Sequence, residues 1–127
     1  MYQAEIKNDG TAVLKVNSQG FEFDMDLDGD GIHPPDTCLI ALGTCAGVYV
    51  RKYFGNAKEK PQGFKIKVWG DLDGDKGSYK FKKIYMEIEI KGLQLDEMHK
   101  AALLRFIDNC PVYNTVKANA VMDVKII

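Results

Sequence analysis

The sequence has no large excess of charge of either sign. It contains 17 Lys and Arg residues against 18 Asp and Glu residues, which gives a formal net charge of −1 at pH 7. Proteins that bind nucleic acids or anionic membrane surfaces electrostatically need a basic excess. The charge balance therefore argues against both, and we expect neither nucleic acid nor membrane among the partners.

Long hydrophobic runs are also missing. The longest, the 13-residue run Cys38–Val50, is shorter than the roughly 18 residues that cross a bilayer. The N-terminal sequence MYQAEIKNDG has no charged segment followed by an apolar one, which predicts that there is no signal peptide. Three cysteines without a secretion signal predict free thiols in a reducing compartment, so we expect a soluble, cytoplasmic protein.

Several common catalytic patterns are absent. Ser18 and Ser78 are the only serines, both lie in predicted turns, and neither has a nucleophile-elbow motif. Glycine-rich phosphate-binding loops of the Walker or dinucleotide type are missing. The groups that remain for chemistry are the cysteines.

The pattern of metal-binding residues is incomplete. Cys38 and Cys45 are seven residues apart rather than in a Cys-x-x-Cys pair, and Cys110 is remote in sequence. The acidic segment 24–30 has the alternating aspartates of a calcium loop, but Pro35 occupies the position that needs a bidentate glutamate. We therefore predict no metal and no cofactor.

The 127-residue length and the hydrophobic share of 46% fit one globular domain, residues 1–127, with its own core. Alternation of apolar and polar residues, turn residues and helix caps then place the elements. The predicted strands are Gln3–Lys7, Ala12–Val16, Gly20–Leu27, Phe64–Trp69, Tyr79–Lys91 with a bulge near Lys82 and Lys83, and Ala120–Ile127. The predicted helices run from Asp36 to about Ala57, from the N-cap Asp96 to about Asn109, and from Pro111 to about Val116. This order predicts an α+β fold with antiparallel hairpins.

The first predicted helix is apolar on nearly every face between Cys38 and Tyr53. A helix of this kind belongs in a core or in a subunit interface. Small residues at Gly43, Ala46 and Gly47 allow another backbone, or a ligand, to approach closely.

The residues alone leave the role of the cysteines open. Cys38 has the surroundings of a small buried hydrophobe. Cys45 lies too deep in its helix to gain much from the helix dipole, and an inert core position is favoured for it. Cys110 occupies the predicted N-cap of the short last helix, where backbone N–H groups lower a thiol pKa. Thiol redox chemistry is therefore one of two interpretations.

Two separated blocks of sequence carry a family resemblance. The segment Pro34–Cys45, PPDTCLIALGTC, resembles the SPMELLLAALGGC signature of the OsmC/Ohr superfamily, and Cys110-Pro111-Val112 followed by Asn114 resembles its second cysteine block. The chain is identified as a member of this superfamily over almost its whole length. The resemblance implies an α+β fold with antiparallel sheets around a long apolar central helix, present as an intertwined homodimer.

The resemblance also implies thiol-dependent reduction of organic hydroperoxides in oxidative-stress defence. Cys45 would attack an apolar hydroperoxide and become a sulfenic acid, and Cys110 would resolve it to a disulfide. A thiol or dithiol reductant would restore both thiols, without metal, flavin or haem. We assign Asp36 a supporting role, and we assign Leu42, Gly43 and Gly47 to the substrate pocket.

The chain departs from the family pattern at the residues that hold the reactive thiolate. No arginine occurs in the first 50 residues, and Pro35 stands where the resemblance implies a glutamate, although Asp36 matches the acid of the branch without the arginine. Lys7 or Lys15 would supply a charge but not the bidentate contact of an arginine, and Arg51 lies off the helix face of Cys45. The alternative is a non-catalytic protein of this fold that binds a small apolar ligand, or a slow thiol redox sensor.

Overall fold

A computed structural model describes residues 1–26, 28 and 31–127 of the chain. Its strands are β1 Glu5–Lys7, β2 Val13–Ser18, β3 Phe21–Asp26, β4 Gly63–Trp69, β5 Leu72–Asp73, β6 Lys80–Phe81 and β7 Tyr85–Lys91. Its helices are α1 Pro34–Gly55, α2 Glu97–Ile107 and α3 Pro111–Ala118. The chain divides into two compact units, Met1–Leu39 and Ile40–Ile127, with the boundary inside α1.

The first unit contains a three-stranded antiparallel meander, β1-β2-β3. The turn between β2 and β3 is formed by Gln19 and Gly20, which both have positive φ angles, of 52° and 85°. Two consecutive left-handed residues match the twist of a tight hairpin. The alternation predicted for the third strand holds at Met25, which is buried, whereas Phe21 is 79% exposed.

Three predictions fall on residues that the structure does not describe. The predicted third strand ends at Leu27, and the sequence predicts a turn around Gly29 and Asp30. Asp30 also belongs to the acidic segment considered as a calcium loop. These three residues lie outside the described part of the chain.

Helix α1 begins two residues earlier than predicted, because proline is well suited to the first helical turn. In the second unit it buries one face, which carries Leu42, Ala46, Gly47, Val50 and Phe54. Ile40 and Val48 remain 47% exposed on another face. The helix that the sequence predicts to be apolar on nearly every face therefore leaves part of its apolar surface exposed in this chain.

In the second unit, α1 packs on a two-stranded antiparallel sheet made of β4 and β7. Apolar residues alternate on one face of each strand and pair across the sheet, as Ile66 does with Ile88. Two glycines of α1 face this sheet. A Cβ atom at Gly43 would lie 2.9 Å from Cγ2 of Val68, and one at Gly47 would lie 3.4 Å from the ring of Phe64. The absence of side chains at these positions allows the helix to lie close to the sheet.

Helix α2 completes the core of the second unit with Leu103 and Ile107, which join Ala46, Val50 and Phe54 of α1 in one buried cluster. The predicted N-cap at Asp96 is confirmed, since its carboxylate accepts a hydrogen bond of 2.8 Å from the His99 backbone N–H. Phe106 contacts both Tyr49 and Tyr53 beside this cluster, with ring centroids 5.8 Å apart in each pair.

Two predicted strands are wrong. The long strand Tyr79–Lys91 is two separate strands, because β6 pairs with β5 in a small hairpin, whereas β7 pairs with β4. The segment Ala120–Ile127 is not a strand. Its apolar side chains are almost fully exposed, as shown by 97% for Val121 and 101% for Ile126. A strand needs a hydrogen-bonded neighbour, and residues 120–127 have none among the described residues of this chain.

The α+β fold with antiparallel sheets is confirmed. The intertwined homodimer and the single domain stay predictions. In the part of the chain that the structure describes, none of the helices combines the length and apolar character needed to cross a membrane.

Candidate functional site

The structure brings Cys45 and Cys110 together, although they are far apart in sequence. Cys45 lies near the middle of α1 and is half-buried, whereas Cys110 precedes α3 and has no exposed surface. The Cys110 thiol lies near enough to Cys45 to shift the pKa of the Cys45 thiol, and all three cysteines of the chain are free thiols. Because Cys45 is the more accessible member of the pair, a reagent from solvent meets it first.

Cys110 is held by the start of α3. It is the N-cap of this helix, and its Sγ accepts a hydrogen bond of 3.4 Å from the Tyr113 backbone N–H. Pro111 follows at the first helical position, where its missing N–H costs nothing. The local sequence Cys-Pro therefore fixes both the start of the helix and the position of the thiol.

The surroundings of Cys45 raise the pKa of its thiol above the ordinary value. Burial is the largest cause, and the neighbouring Cys110 thiol adds to it. The Val112 backbone N–H and the charge of Lys52 lower the pKa, but they do not cancel the increase. Since the thiolate is the nucleophile, Cys45 rests mainly as the weaker, protonated form at neutral pH.

An apolar cavity of about 760 Å³ lies beside Cys110. Its wall is formed by apolar residues of α1, β7, α2 and α3 and by four charged residues. The apolar lining includes Leu42, Ala46, Met86, Ile88, Leu104, Ile107 and Val116, and the charged residues are Lys82, Lys83, Asp108 and Lys117. The volume and lining suit a small, mainly apolar molecule.

The other predicted site residues lie in different places. Leu42 lines the cavity. Gly43 and Gly47 face β4, where their lack of a side chain allows close packing. Asp36 is an exposed residue in the first turn of α1.

Two groups near Cys45 were not predicted. The Val112 N–H comes from the first turn of α3, and a backbone group of this kind leaves no mark in the sequence. Lys52 follows Cys45 by seven residues, a spacing that places both on one helix face. That spacing was a readable signal for Lys52. Among the described residues, no group of three His, Cys, Asp or Glu side chains is placed to hold a metal ion.

The fold is shared with several solved bacterial structures. The OsmC-like protein from Mycoplasma pneumoniae matches with a TM-score of 0.75 at 18% sequence identity, over 92% of this chain and 87% of that one. An organic hydroperoxide resistance protein from Elizabethkingia anophelis matches with a TM-score of 0.73 at 16% identity, over 94% and 89%. An organic hydroperoxide resistance protein OsmC from Legionella pneumophila gives 0.71 at 16% identity, over 94% and 90%.

The fold is thus that of the OsmC-like proteins. The sequence model of the OsmC-like protein family matches residues 27–125 of the chain, a range that includes both cysteine blocks. The chain belongs to the OsmC-like family, as its sequence predicts. No curated protein matches it.

Proposed function

We propose that the protein reduces organic hydroperoxides through a disulfide between Cys45 and Cys110. The observation that carries this proposal is the proximity of the half-buried Cys45 thiol to the fully buried Cys110 thiol, which lines an apolar cavity. The organic hydroperoxide resistance proteins of similar fold support the same chemistry.

The reaction has three balanced steps. The Cys45 thiolate attacks the terminal oxygen of a hydroperoxide, so the O–O bond breaks, Cys45 becomes a sulfenic acid, and an alcohol leaves after taking up a proton. The Cys110 thiol then attacks the Cys45 sulfur, which releases water and forms the disulfide. A dithiol reductant finally returns two electrons and two protons to the pair and is itself oxidised to a disulfide.

The burial of the two cysteines supports this division of roles. Cys45 has the exposure that an attacking thiol needs, whereas Cys110 is shielded from solvent and lies near Cys45. Because the pKa of Cys45 is raised, we propose a slow peroxidase at neutral pH. Such a rate also suits a thiol redox sensor that uses the same disulfide.

Consumption of cumene hydroperoxide with dithiothreitol as reductant tests the proposal. We expect Cys45→Ser to lower the rate at least about tenfold, because it removes the nucleophile. In the absence of dithiothreitol, Cys110→Ser should consume one equivalent of hydroperoxide and leave a Cys45 sulfenic acid that dimedone labels. Cys38→Ser is the matched control, because Cys38 is also half-buried in α1, and it should react like the wild type.

The second candidate is non-catalytic binding of a small apolar ligand, favoured by the cavity of about 760 Å³. The same assay separates the two functions. If the wild type consumes hydroperoxide no faster than dithiothreitol alone, the peroxidase proposal is overturned and ligand binding remains the interpretation of the cavity. Unchanged consumption in Cys45→Ser would overturn the role of Cys45.

We also propose that the protein is a homodimer in which residues 120–127 pair with a second copy. The exposed apolar side chains of this segment support the proposal, as do Ile40 and Val48 on the uncovered face of α1. Residues that are apolar and β-branched, as Val121, Val124 and Ile126 are, suit a strand that adds to another sheet.

A further inference from the structure

A stripe of three side chains runs along α1 from Cys45 through Tyr49 to Lys52. At 3.6 residues per turn, Lys52 lies about 20° around the helix from Cys45, and about 10.5 Å further along the axis. Long side chains in a helix lean towards its N-terminus. The Lys52 ammonium group follows this rule, because its Nζ lies 4.9 Å from the centre of the ring of Tyr49, which precedes it by three residues in the direction of Cys45 along the chain.

We propose that Lys52 is the positioning residue whose positive charge stabilises the Cys45 thiolate, in a chain with no arginine in its first 50 residues. This inference rests on the proposed function, in which Cys45 is the attacking thiol. Lys52 does not contact the reacting oxygen. It acts through Cys45 by raising the fraction of thiolate that is ready to attack.

The groups that influence the ionisation of Cys45 differ in sign and in charge, and their comparison favours Lys52 for this role. From the first turn of α3, Cys45 meets the Cys110 thiol, which disfavours its ionisation, and the Val112 N–H, which favours it. From α2, Phe106 contacts Tyr49 and carries no charge. On α1 itself, Lys52 is the side chain whose charge lowers the pKa of Cys45.

Arg51 provides a matched control on the same helix. It carries the same charge and is also exposed, but it lies about 120° around the helix from Cys45. If a general positive charge near this turn were sufficient, Arg51 and Lys52 would contribute alike. If the charge must lie on the same face of the helix as Cys45, only Lys52 stabilises the thiolate.

The test is the pH profile of Cys45 alkylation by iodoacetamide, followed by peptide mass spectrometry. All variants carry Cys38→Ser, because no Lys or Arg lies between Lys15 and Arg51 and a tryptic peptide would otherwise contain both cysteines. We expect Lys52→Met to lower the rate at pH 7 about two- to fivefold, the effect of one partly screened charge. The difference should shrink at high salt, which a merely structural role would not cause.

Lys52→Arg should restore the wild-type profile, and Arg51→Met should leave it unchanged. An unchanged profile in Lys52→Met, or an equal shift in Arg51→Met, would overturn the inference. Cumene hydroperoxide added to the same variants distinguishes this failure from failure of the proposed function. If Cys45 alkylation shifts but Cys45 is never oxidised, the peroxidase proposal fails and the role of Lys52 stands. If Cys45 of Lys52→Met is oxidised at the wild-type rate, the role of Lys52 fails and the peroxidase proposal stands.

Discussion

At the scale of single residues, the reactivity of Cys45 results from opposing influences. Burial and the neighbouring Cys110 thiol favour the neutral form, whereas Val112 and Lys52 favour the thiolate. In the proposed reaction, the neighbouring Cys110 thiol that would complete the disulfide also disfavours ionisation of Cys45. We therefore expect ionisation of Cys45 to limit the rate of the proposed attack on a peroxide.

The raised pKa predicts how Cys45 reactivity depends on pH. Below the pKa the thiolate fraction grows about tenfold per pH unit, so the alkylation rate should climb from pH 7 to pH 9 without a plateau. The measurement is iodoacetamide labelling of Cys45 in the Cys38→Ser protein over this range. A plateau reached below pH 8 would show that folding lowers the pKa.

The same shift has a consequence for stability. A thiol whose pKa is raised by folding contributes stability that is present below its unfolded pKa and is lost as the pH rises through the folded value. We therefore expect this contribution to the free energy of unfolding to be lost at alkaline pH.

The sequence predicts the pairing of two cysteines but not the environment of their thiols. Two cysteine blocks indicate Cys45 and Cys110, and the structure places these residues close together. The raised pKa of Cys45 depends on burial and on groups from α3, neither of which can be read from a single helix. The position of Gly43 and Gly47 against β4 likewise depends on which face of α1 the sheet covers.

At the scale of elements, the contact between α1 and β4 depends on the glycines of the helix. Val68 leaves no room for a side chain at Gly43, because even a Cβ atom would lie 2.9 Å from its Cγ2. We expect Gly43→Val to lower the free energy of unfolding by about 1–3 kcal/mol through overpacking, measured by urea denaturation.

Gly55→Val is the control for this prediction. Gly55 belongs to the same helix, and no described atom lies within 4 Å of a Cβ built there beyond its immediate neighbours. This variant should stay close to the wild type. Equal losses in both variants would mean that helix propensity, rather than contact with β4, determines the effect.

The elements that the sequence predicted well have local signals. The Asp96 N-cap and the Cys110-Pro111 start are each encoded within a few residues, so α2 and α3 begin where predicted. The predictions for 79–91 and 120–127 failed because strand pairing is not local. Lys80 and Phe81 alternate as part of a strand, but their partner is β5 rather than β4.

At the scale of the whole molecule, the exposed C-terminal segment predicts how the protein assembles. Removal of residues 120–127 deletes a row of exposed apolar side chains, including Val121 and Ile126. We expect the full chain to have the mass of two copies by light scattering, and the truncated chain to have a smaller mean mass. A full chain with the mass of a single copy would contradict the homodimer.

The most direct test of the whole account is a chemical one. One equivalent of cumene hydroperoxide is added to the reduced Cys38→Ser protein, and the peptides are mapped without reduction. The account predicts a disulfide between the peptides that carry Cys45 and Cys110, formed faster as the pH rises from 7 to 9. Two unmodified thiols across this range would contradict it, and the cavity would then be interpreted as a ligand-binding site.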